Sequence, residues 1–187
     1  MLRRQIDYVQ YADYITQIET WPDGVKYELI SGETFLMTGG SPDHDLIKGN
    51  VYSLMKKCFP ECYITTGDAN LRAECINEEN GYFPDCMIVC SKEGKKDKYY
   101  DMPVIIIEVV SPGSQYLDKA KKKTDYMQLP TLELYLMIES FKKEIKGIIR
   151  TGMNNWTEIE IREDQAINIK STSIDIIIDD LYHQTDL

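Results

Sequence analysis

Residues 104–110 read VIIIEVV: six β-branched aliphatic side chains interrupted by one glutamate, Glu108. Such a run fits a strand in a protein interior. An unpaired charge left in an apolar interior costs several kcal/mol, so a carboxylate in this setting calls for a partner or a metal.

The rest of the chain supplies layers to cover such a strand. Residues 9–19 suit a short helix that WPDG stops. KYELISGETFLM reads as a hairpin turning at Ser31-Gly32. SPDHDLIKGNVYSLMKKCF enters a helix, with Leu46, Ile47, Val51, Leu54 and Met55 at helical spacing and Ser41 or Asp43 as cap. CYITTG, LRAECIN, YFPDCMIVC and PVIIIEVVS read as four strands. YLDKAKKKTDYMQL is a second helix, and four strand-like pieces close the chain. Strands, helix, then more strands imply an α/β fold: one mixed sheet with helices on its faces. At 187 residues the chain reads as a single domain, 1–187, with a core over about 11–182.

Composition excludes several classes. Hydrophobic content of 43% and charged content of 28% are those of a soluble globular protein. No apolar run approaches the ~20 residues of a membrane span. MLRRQIDYVQYADY lacks the apolar stretch of a secretory signal, so the expected location is cytoplasmic. Cys58, Cys62, Cys75, Cys86 and Cys90 are odd in number and lack CxxC spacing, so reduced thiols are expected. The net charge of −10 opposes generic binding to nucleic acid or anionic membranes. One stretch departs from it: between Lys92 and Asp125, eight lysines stand against six acidic residues, a candidate basic patch.

The partner of Glu108 follows from connectivity. The link between YFPDCMIVC and PVIIIEVVS is too short for a crossover helix, so these strands pair antiparallel. Asp85 starts one strand and Glu108 ends the other, which sets them opposite each other, Cβ atoms about 5 Å apart. Two carboxylates that close stay ionised only with a cation between them, and oxygen ligands favour Mg²⁺, Mn²⁺ or Ca²⁺ over zinc. The bland alternative keeps Asp85 as a strand-start residue and pairs Glu108 with a lysine. In the next helix Asp118, Lys122 and Tyr126 share one face at i, i+4, i+8. Lys122 could aim at the carboxylates or form a surface pair with Asp118.

YELISGE, SPDH at a helix start, PD, IIIEVVSPGS, then D-x-x-x-K-x-x-x-Y occur in an order that resembles the Uma-two family, a large bacterial family of restriction-endonuclease domains in the PD-(D/E)XK superfamily. The resemblance runs from about Tyr11 to Tyr182. It implies a restriction-endonuclease-like mixed β-sheet core flanked by helices. It implies that Asp85 and Glu108 ligate Mg²⁺, with Mn²⁺ as substitute. The superfamily lysine should stand two residues after the acidic one, where this chain has Val110, so the resemblance gives the lysine's role to Lys122. It also marks Glu28 as a further member of the acidic site. His44, Asp118 and Tyr126 would stand beside it, toward substrate or behind the ligands. Near a helix N-terminus, His44 is expected to be neutral.

The function implied is a Mg²⁺-dependent endonuclease acting on DNA, as a homodimer with no membrane partner. The alternatives are a catalytically silent nuclease fold that binds nucleic acid or regulates, and a phosphodiesterase on another substrate. If the carboxylates repel each other, Asp85→Asn leaves folding intact or stabilises the metal-free protein.

Overall fold

The computed structural model describes residues 8–37, 39–74, 79–111, 116–169 and 172–187, with backbone alone at 116–119 and 172. Helix α1 (Tyr11–Gln17) precedes strands β1 (Tyr27–Ile30) and β2 (Glu33–Leu36), and helix α2 (Pro42–Cys58) follows. Next come β3 (Tyr63–Thr66), β4 (Leu71–Glu74), β5 (Glu79–Tyr82), β6 (Cys86–Val89) and β7 (Ile105–Val110). Helix α3 (Tyr116–Tyr126) leads to β8 (Leu134–Glu139). The chain ends with β9 (Ile145–Arg150), β10 (Trp156–Ile161), β11 (Gln165–Ile169), β12 (Thr172–Ile176) and α4 (Ile178–Leu181).

The central sheet has six strands in the order β10-β9-β8-β7-β6-β3. Its parallel pair is β7 with β8, joined through α3; β6 pairs antiparallel with β7, as the short link requires. Every residue of β7 is buried. Alternation along it feeds two cores. Ile105, Ile107 and Val109 join Ile47, Val51 and Met55 of α2 in one; Ile106 joins Met87, Tyr126, Leu129 and Tyr135 in the other. Glu108 shares parity with Ile106 and so faces α3.

Two smaller sheets accompany the central one, where the sequence pattern implied a single sheet. The β11–β12 hairpin buries Ile167, Ile169, Ile174 and Ile176 on the α2-side core, which accounts for the apolar SIDIII stretch. The other sheet runs β2-β1-β5-β4. It arises because YFPDCMIVC is not one strand. Pro84 carries no N–H for a ladder, so the chain leaves one sheet after Tyr82 and enters another at Cys86.

The β1–β2 hairpin turns at Ser31-Gly32 as its sequence implied, both residues at positive φ, the conformation of a type I′ turn. Cys62 and Cys90 are disulfide-bonded, against the expectation of reduced thiols. The cause is register: β3 sets Tyr63 opposite Val89, so the next residues outward are Cys62 and Cys90, with Cα atoms 4.3 Å apart. Among the described residues no helix is long and apolar enough to cross a membrane.

Candidate active site

The β6–β7 register pairs Cys86 with Ile107; one step further, Asp85 meets Glu108. The inferred opposition is present, and backbone hydrogen bonds fix it. The Asp85 N–H donates to Glu108 Oε2 (3.3 Å), and the Val109 N–H donates to Asp85 Oδ2 (2.9 Å). Glu28 arrives from β1 and also ties the strand break, accepting from the Phe83 N–H at 3.2 Å. All three carboxylates line a cleft of about 740 Å³.

Lys122 faces this cleft. Its ammonium lies 2.7 Å from Glu28 Oε1, 3.4 Å from Glu108 Oε1 and 5.5 Å from the centre of the Tyr82 ring. Tyr126, one turn on, is buried and donates its hydroxyl to Glu108 Oε1 at 2.9 Å. A second buried carboxylate backs this wall. Asp125 accepts from Asn80 (2.8 Å), Tyr82 (2.5 Å) and Lys121 (2.8 Å), which anchors α3. The side chain of Asp118 lies outside the described residues.

Helix α2 supplies the opposite wall. Ser41 caps it, its Oγ accepting from the His44 N–H, and Pro42 occupies the first turn. His44 Nε2 sits 3.3 Å from Asp85 Oδ2. Gly40 makes room for the imidazole, since a Cβ there would overlap it. Lys48, one turn further, holds its ammonium 3.5 Å from Asp85 Oδ1. The sequence motifs did not single out Lys48; its i, i+4 spacing from His44 was the available signal.

These surroundings split the two strand carboxylates. Burial opposes ionisation of Asp85, but His44, the Val109 N–H and Lys48 outweigh it and lower its pKa. Burial raises Glu108 to about 7, Lys122 offsets part of that, and Asp85 and Glu28 add to it. Burial works against the charge on Lys122, yet Glu108 and Glu28 overcome it and raise its pKa, so Lys122 stays an ammonium. The same contest at His44 is won by Asp85, which raises the imidazole's pKa. The carboxylate in contact works against the helix terminus, which favours the neutral imidazole.

The donor set suits a hard divalent cation. Among the described residues no three side chains of His, Cys, Asp or Glu are grouped so as to hold a metal ion. Mg²⁺ keeps several waters and needs only one or two carboxylates. Asp85 Oδ1 and Glu108 Oε2 each carry only a long contact, to Lys48 at 3.5 Å and to a backbone N–H at 3.3 Å. A buried glutamate half-neutral near pH 7 is a group that a cation would return to its ionised form.

Five of the eight lysines in the basic patch implied between Lys92 and Asp125 are paired with carboxylates. Lys96 pairs with Asp101, Lys98 with Glu19, Lys121 with Asp125 and Lys123 with Glu158, while Lys122 is inside the site.

The family model Uma2, described as putative restriction endonuclease, matches residues 12–176. The uncharacterized protein slr1290 of Synechocystis sp. is 24% identical over 158 residues, 84% of this chain and 83% of its own length. The uncharacterized protein sll1609 of the same organism is 24% identical over 158 residues, 83% of this chain and 88% of its own. The fold is similar to the crystal structure of a putative nuclease belonging to DUF820 from Anabaena variabilis, with TM-score 0.70 and 12% identity, covering 90% of this chain and 96% of that one. At that identity the likeness is one of fold: a mixed sheet flanked by helices.

Proposed function

The chain belongs to the Uma2 family of restriction-endonuclease domains, and from that premise we propose that its cleft hydrolyses phosphodiester bonds of DNA with Mg²⁺. The observation that carries this reading is the opposition of Asp85 and Glu108 at adjoining strand ends, with the Lys122 ammonium beside Glu108. Asp85 and Glu108 would hold the ion. When bound, it would polarise the phosphate, acidify a water and offset charge as the P–O bond breaks.

The protein's own groups divide the remaining work. Lys122 holds its proton too tightly to act as a base, so it serves as a fixed positive donor to a phosphate oxygen or to the attacking water. Glu28 orients that ammonium from the far side, and Tyr126 fixes the Glu108 carboxylate. His44 Nε2 lies beside Asp85 on the cleft wall, placed to contact the phosphate. Cutting both strands of a duplex would take two copies of the chain, and the homodimer belongs to this proposal.

A second reading, binding without turnover, has one observation on its side. Lys48 and Lys122 already lie against Asp85, Glu28 and Glu108, so protein groups supply counter-charge there without a metal. Incubation of supercoiled plasmid and of single-stranded DNA with Mg²⁺ or Mn²⁺ separates the two. Cleavage that disappears in EDTA and in Asp85→Ala supports the nuclease. Metal binding by calorimetry without cleavage supports another phosphodiester, and absence of both supports the silent fold.

A further inference from the structure

A second cavity, of about 700 Å³, lies between α2 and β3, and Asp45 and Lys48 line both it and the catalytic cleft. Asp45 and Lys48 stand where the two adjoin, and the further half of the groove runs past Gly49 and Tyr52. Two residues of α2 shape the second half. Tyr52 is 38% exposed on α2. Gly49 stands mid-helix, where glycine weakens a helix relative to alanine, yet a Cβ there would meet nothing within 4 Å. At the far end, Phe35 (45% exposed) and Leu36 (57% exposed) line the cleft from β2.

We propose that this groove takes unpaired nucleic acid, with Tyr52 as the platform on which a base stacks next to the scissile phosphate. The inference rests on the nuclease reading and adds the form of the substrate. With a net charge of −10 and its surface lysines largely paired, the protein offers few phosphate contacts. The second half, whose rim carries the carboxylates of Asp45 and Asp68, offers Tyr52 with Ile64 and Ala69 rather than further cations, and base faces can reach such surface only when the strand is unpaired. Gly49 keeps the groove floor low beside Tyr52, so a flat base can lie against the helix backbone.

The test is fluorescence anisotropy of the full chain with a labelled single-stranded oligodeoxynucleotide and with a hairpin duplex of equal length. Ca²⁺ replaces Mg²⁺ so that binding is read without cleavage. The single strand is expected to bind more tightly. Tyr52→Ala should weaken it roughly five- to hundredfold, the range covered by one base on one aromatic ring, and Tyr52→Phe should retain it. Gly49→Leu should block the groove while leaving the melting temperature as high as that of the natural chain. Duplex bound as tightly as single strand, or binding indifferent to Tyr52→Ala and Gly49→Leu, overturns the inference. If Mg²⁺-dependent cleavage persists in that case, the nuclease reading stands alone. Failure to bind or cleave either oligonucleotide overturns both.

Discussion

Asp85 and Glu108 are carboxylates on adjoining strand ends, yet their neighbours push them in opposite directions. Asp85 is held ionised by His44, Lys48 and the Val109 N–H. Asp85→Asn should therefore destabilise the metal-free protein by roughly 1–3 kcal/mol, the value of hydrogen bonds to a charged group. Urea unfolding in EDTA measures this, and it reverses the expectation drawn from repulsion alone, which lacked Lys48 and the contact with His44. Glu108 is the carboxylate under strain. Its folded pKa of about 7 stands above the ordinary 4.5, so its contribution to stability is complete below about pH 4.5 and is lost as pH rises through 7. The loss is on the order of 3 kcal/mol. Unfolding midpoints at pH 5 and pH 8 in EDTA should fall more steeply for the natural chain than for Glu108→Gln. Lys122 opposes this strain. Lys122→Ala leaves Glu28 and Glu108 without their shared cation, at roughly 3–5 kcal/mol, the cost of breaking a buried pair. The variant should lose cleavage, still bind Mg²⁺, and gain more in melting temperature from Mg²⁺ than the natural chain does.

The elements that hold these residues were readable where a local rule fixes them. Residues 31 and 32 specify the hairpin turn, Ser41 and Pro42 specify the start of α2, and the short link after Cys90 makes β6 and β7 antiparallel. The last of these places Asp85 against Glu108 from sequence alone. The break at Phe83-Pro84 was not read, because a proline among apolar residues also fits a single edge strand. What decides it is non-local: Glu28 accepts the Phe83 N–H from a strand 55 residues earlier. Lys48 escaped notice for a similar reason, since nothing local distinguishes it from an exposed helix lysine. The cap of α2 does more than start a helix, because its third residue is His44. Ser41→Ala should cost about 1 kcal/mol in urea unfolding. It should also lower the His44 pKa followed by NMR, as fraying of the first turn loosens the contact with Asp85.

Across the whole molecule, rigid strands carry the acidic residues while two helices on opposite faces of the sheet carry the cations. Sequence patterning gave the sheet and its flanking helices but not the four-stranded and two-stranded additions, which depend on contacts between distant segments. The Cys62–Cys90 bond ties the edge strand β3 to β6 across a separation of 28 residues. Closing a loop of that size stabilises by roughly 3–4 kcal/mol in the chain-entropy model. Dithiothreitol should lower the urea midpoint accordingly, and Cys90→Ala should be insensitive to it. That bond has a topological consequence too. It makes the stretch from 62 to 90 a covalent circle carrying β4, β5 and Asp85, with Asp85 five residues from the closure. A protease nick elsewhere in the circle would release no fragment, and Asp85 would remain tethered on its strand, its freed end still bolted through Cys90 to the neighbouring one.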